Sequence, residues 1–97
     1  MKVTWSVLAK HDLADIASWI AQDNPGAARA QVHRILERTR QLAIFPQSGR
    51  MVLEYRDPHV REVVEGSYRI IYRLLPGETQ VISVLQARRL PTSPEAL

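Results

Sequence analysis

The sequence predicts an α+β fold: an N-terminal strand, a two-helix hairpin, then a three- to four-stranded antiparallel sheet. Apolar residues recur at helical spacing from Ala9 to Ala43 with one interruption at residues 23–26. From Val60 to Gln86 the pattern changes to β-branched and aromatic runs separated by glycine-bearing turns. The 97 residues suffice for one domain and not for two. Helical periodicity thus precedes most of the strand periodicity, which places a helical layer over one face of a sheet.

Residues 3–8 read as the opening strand, with Val3, Trp5 and Val7 on one side and Trp5 closing the core. From Ala9 the period becomes helical: Leu13, Ile16, Ala17 and Ile20 share a face, while His11, Asp12, Asp15 and Ser18 oppose it. Asn24 then caps a second helix whose first position is Pro25. That helix is predicted over 25–43, with Ala28, Val32, Ile35, Leu36, Thr39 and Leu42 turned inward, and Phe45-Pro46 ends it. Residues 51–55 form at most a short edge strand between two turn-rich stretches. Runs 60–65, 68–75 and 79–86, joined by Gly66-Ser67 and Pro76-Gly77-Glu78, form a meander. Residues 1–90 make one domain, and the prolines and polar residues of 91–97 mark a flexible tail.

Composition excludes more than it assigns. With 45% hydrophobic and 24% charged residues the chain suits an ordinary globular domain. No apolar run approaches the roughly 18 residues that cross a bilayer, and the first residues lack a signal-peptide layout, so a cytoplasmic location without membrane contact is expected. The absence of cysteine removes disulfides, thiolate nucleophiles and Cys-based zinc sites. No serine sits in a Gly-x-Ser-x-Gly elbow, and His11, His33 and His59 are scattered without metal-ligand spacing. The glycines stand alone at turns, so no phosphate loop forms. Neither metal nor cofactor is expected.

What remains is arginine. The formal net charge is +3, and 11 of the 13 cationic side chains are arginine, seven of them between Arg50 and Arg89. Arginine suits planar, bidentate recognition of phosphate or carboxylate. On the strand 68–75, Arg69, Ile71 and Arg73 share one side while Tyr68, Ile70, Tyr72 and Leu74 share the other. The Gly66-Ser67 turn brings Arg61 alongside, and Arg88 and Arg89 close the last strand, so the guanidinium groups are expected to gather at one end of the sheet. Glu62, Glu65 and Glu78 are near enough in sequence to pair with them, and exposed pairs contribute little. For Arg61, Arg69, Arg73, Arg88 and Arg89 an anion-binding role and plain solvation are evenly matched. Trp19 is read as core.

Several segments are familiar in their order: Ala9-Lys10-His11-Asp12-Leu13-Ala14-Asp15-Ile16, Asn24-Pro25-Gly26-Ala27-Ala28, Phe45-Pro46-Gln47-Ser48-Gly49-Arg50, Tyr68-Arg69-Ile70-Ile71-Tyr72-Arg73 and Val84-Leu85-Gln86-Ala87-Arg88-Arg89. The chain resembles the RelE/ParE superfamily of toxins from bacterial type II toxin–antitoxin systems, from the first strand through Arg89. The resemblance implies a cognate antitoxin that folds around the toxin and through which alone the pair meets operator DNA. It implies one of two activities as well: poisoning of DNA gyrase, as in the ParE branch, or cleavage of messenger RNA on the ribosome, as in the RelE branch.

RNA cleavage needs proton donors and acceptors as well as cations. RelE-like nucleases carry lysines where this chain has Val60-Arg61-Glu62, and Gln86 stands where many relatives have histidine. The ParE branch is therefore expected. Arg50, Arg61, Tyr68, Arg69, Arg73, Arg88 and Arg89 are the candidates for contact with target or antitoxin. In the RelE-like alternative, Arg61, Arg69 and Arg88 stabilise the scissile phosphate and Tyr68 or His59 handles protons. A third reading is an inactive module that only binds the antitoxin.

Overall fold

A computed structural model describes residues 1–88, so Arg89 and the segment 91–97 lie outside the described residues. In chain order the elements are β1 (Lys2–Trp5), α1 (Val7–Ala21), α2 (Pro25–Arg40), a 3-10 turn (Gln41–Ala43), β2 (Arg50–Met51), β3 (Val60–Glu65), β4 (Tyr68–Leu75) and β5 (Glu78–Gln86). They build one five-stranded sheet of order β1-β5-β4-β3-β2. Strands β3, β4 and β5 form the expected antiparallel meander, turning at Gly66, whose φ of 59° lies in the left-handed region that glycine adopts freely. The opening strand joins the same sheet, parallel to β5, so the sheet is mixed. Side-chain alternation reports burial and not strand direction. With β3 on one side of β4 and β5 on the other, the outer edge of β5 was left open to β1.

The opening strand is shorter than the expected 3–8. Ser6 leaves the ladder in an extended conformation, and its Oγ accepts a hydrogen bond from the Ala9 amide at 3.1 Å. This cap outweighs the β propensity of Val7, which enters the first helical turn 70% exposed. The second cap is as predicted: Asn24 Oδ1 accepts from the Ala27 amide at 3.0 Å, with Pro25 opening the helix. Helix α2 ends at Arg40, and residues 41–43 continue as the tighter 3-10 turn common at helix ends.

Strand β4 is covered on both faces. On the helix side Ile70 and Tyr72 pack with Ile35, Leu42, Val63 and Val81. On the other side Ile71 packs with Val52, Val60 and Ile82 beneath the segment between β2 and β3. The second cluster explains how a residue on the face away from the helices can be buried. Helix α1 is tied to β5 where the β4–β5 register slips at Ile71/Tyr72. Near this slip Asp12 Oδ2 accepts hydrogen bonds from Ser83 Oγ at 3.1 Å and from the Val84 amide at 2.9 Å. Among the described residues no helix is long and apolar enough to cross a membrane.

Candidate functional site

Strand register distributes the arginines. Arg69 on β4 faces away from the helices, as its parity requires, and is only 7% exposed. Its Nε donates to Glu62 Oε2 at 2.9 Å, while Nη1 and Nη2 donate to the two carboxylate oxygens of Glu54, each at 3.1 Å. Arg50 joins the network through Nε to Glu62 Oε1 at 2.9 Å. The Glu62 side chain is 2% exposed, so two guanidinium groups share one buried carboxylate, and Glu54 closes the set. Two arginines and two glutamates sum to zero. Such planar, bidentate pairing is the geometry that arginine supplies and lysine does not.

Protonation behaviour follows the contacts. The Arg69 hydrogen bond, first among the causes, holds the Glu54 carboxyl below its ordinary value of 4.5. For Arg69 itself burial acts to lower the pKa, but the hydrogen bonds to Glu54 and Glu62 outweigh it and raise the pKa above the usual guanidinium value. A carboxyl with a depressed folded-state pKa contributes stability above its unfolded pKa and loses that contribution as the pH falls through the folded value. Urea midpoints measured from about pH 6 to about pH 3 are therefore expected to fall less steeply for Glu54→Gln than for the parent. Identical acid limbs would refute the pairing.

Arg61 lies on the opposite side of the sheet, in register with Tyr72. Its Nη1 donates to the Gly49 carbonyl at 3.0 Å, and the Gly49 amide donates to the Tyr72 hydroxyl at 2.9 Å. Burial, opposed by the Gly49 amide, pushes the Tyr72 phenol above its ordinary pKa. Gly49 is thus held at both ends by side chains, and from there the chain rounds the edge of β3 to bring Val52 to the far face.

Arg73 shares the face of Arg69 but lies four residues along β4, about 13 Å away at strand spacing. Arg88 is exposed beyond β5, beside Ser67 and Tyr68. Tyr68 is 8% exposed and belongs to the helix-side core. The expected gathering of guanidinium groups at one end of the sheet is therefore corrected. Arg50 and Arg69 meet, Arg61 is across the sheet, and Arg73 and Arg88 are apart from both; Arg89 is outside the described residues. The reason is tertiary: Glu62 on β3 and Glu54 in the segment after β2 draw Arg69 of β4 and Arg50 of β2 together, while strand parity puts Arg61 on the other face.

Of the three glutamates expected to pair, Glu62 takes Arg69 and Arg50, Glu65 stands 3.5 Å from Arg34, and Glu78 accepts from Thr4 Oγ1 at 2.7 Å. Glu54 was not anticipated, because it lies 15 residues from its partner in a segment without periodicity. Trp19, read as core, is 67% exposed. His59 is exposed on a turn, with Nδ1 3.4 Å from Asp57 Oδ1. Among the described residues no group of histidine and acidic side chains is placed to hold a metal ion.

A helical hairpin on a mixed sheet, with arginines held in ion pairs or dispersed over the surface, defines a small α+β protein. The family model described as the ParE toxin of type II toxin–antitoxin system, parDE, matches residues 3–91. The chain therefore belongs to the ParE toxin family. Among solved structures it is similar to the chromosomal ParDE toxin–antitoxin system from P. aeruginosa, at a TM-score of 0.72 and 21% identity, covering 89% of this chain and 95% of that one. That likeness bears on the fold. A search of curated proteins finds no significant match.

Proposed function

We propose that this chain is the toxin of a type II pair, that it inhibits DNA gyrase through surface contacts, and that a cognate antitoxin neutralises it. The observation that carries this choice over RNA cleavage is the state of Arg69. Its guanidinium faces two carboxylates, so a scissile phosphate approaching it meets a neutral network and not an unpaired cation. Family membership supports the toxin role. The more accessible arginines, Arg73 and Arg88 with Arg50 at the β2 edge, are the contacts proposed for target or antitoxin. Arg61 and Tyr68 contribute from beneath the surface as supports.

The deciding experiment combines two reactions on one preparation. Purified toxin is expected to inhibit gyrase supercoiling and to accumulate cleaved DNA complexes, and adding antitoxin reverses both effects. The same toxin leaves ribosome-bound messenger RNA intact in a translation extract. Unchanged supercoiling together with cut messenger RNA would reverse the assignment.

A further inference from the structure

A groove of about 320 Å³ runs between α1 and the ends of β4 and β5, and the charged residues lining it are acidic. Asp12, Asp15, Ile16 and Trp19 line one wall, at helix spacings that put all four on one face. Tyr68 and Gln86 belong to the other wall. Asp12 is fixed by its Oδ2 bonds to Ser83 and Val84, while Oδ1 makes no hydrogen bond among the described residues. Asp15 is exposed and has no ion pair there either. Tyr68, only 8% exposed, lines the same groove. The Trp19 ring, 67% exposed, completes the opening.

We propose that this groove receives an arginine side chain from a protein partner. Carboxylates and an aromatic face are the groups a guanidinium meets well: two acceptors for its N–H groups and a ring for stacking. The apolar floor of Ile16 and Val84 suits the methylenes of the arginine stem and a flanking apolar residue. The volume lies at the small end of ligand clefts, about 300–1,000 Å³, which fits one long side chain better than a whole helix. The chain's own Arg88 lines the adjoining groove with Ser67, Gln86 and Ala87 and pairs with neither aspartate. The proposal does not depend on gyrase being the target.

The test uses the intact protein labelled with 15N and a capped tripeptide of one arginine between two leucines, with citrulline replacing arginine as the control. Titration is expected to give saturable shifts confined to Asp12, Asp15, Trp19, Tyr68 and Gln86, including the Trp19 indole N–H. The citrulline peptide binds at least about tenfold more weakly. Asp15→Asn weakens the arginine peptide about fivefold or more while leaving the rest of the spectrum in place. Equal binding of the two peptides, shifts scattered over the molecule, or an unaffected Asp15→Asn protein overturns the proposal. None of these outcomes bears on the supercoiling result.

Discussion

Arg69→Ala is expected to destabilise the fold by about 3 kcal/mol or more, because it strands a buried carboxylate. The Glu62 side chain is 2% exposed and would keep only Arg50, whose own side chain is 73% exposed. Removing one member of a buried ion pair costs about 3–5 kcal/mol, whereas replacing both members with apolar residues of similar volume is often neutral. Arg69→Met combined with Glu62→Met is therefore expected to recover most of the loss. Arg69→Lys is expected not to, since an ammonium cannot bridge two carboxylates in plane. Urea unfolding with an unchanged slope and shifted midpoint is the measurement. A wild-type midpoint for Arg69→Ala would show that the network contributes nothing. If the folded double variant still inhibits gyrase, Arg69 belongs to the scaffold and not to the contact surface.

Gly49→Ala is expected to lower stability by about 2–3 kcal/mol, as overpacking in a tight site does. A methyl group at Gly49 would lie 2.5 Å from the Tyr72 hydroxyl and 2.6 Å from the Glu62 carbonyl oxygen. The tyrosine is fully buried and the carbonyl is backbone, so neither yields cheaply. For a chain of this size the loss corresponds to a Tm lowered by roughly 10–20 °C. Tyr72→Phe does not rescue it, because the Glu62 carbonyl remains in the way. It also leaves the Gly49 amide without an acceptor, a cost of about 1–3 kcal/mol on its own. A thermal melt of Gly49→Ala within a few degrees of the parent would contradict the close approach.

Much of the architecture was legible because it rests on period and punctuation. The stripe from Ala28 to Leu42, the Asn24-Pro25 cap and the Gly66-Ser67 turn each declare themselves within a few residues. The direction of β1 was not legible, since pairing Lys2 with Glu78 depends on the closure of the whole chain. The arginine site was half legible. Parity assigned Arg69 and Arg73 to one face, but the second core under residues 52–60 and the reach of Glu54 are tertiary facts without a local pattern. Trp19 misled for a related reason: its face of α1 stands over an open groove against β4 and β5 and is not packed onto them, so the ring stays 67% exposed.

The register of β1 has a temporal consequence. Residues Lys2 to Trp5 are translated well ahead of their ladder partners, Glu78 to Val81, with both helices and strands β2 to β4 made in between. Until those late residues emerge, the earliest strand has nothing to zip against, and contacts of such high sequence separation form slowly. The newborn polypeptide therefore closes this edge of the sheet only once Val81 has emerged, a delay that comes from topology alone.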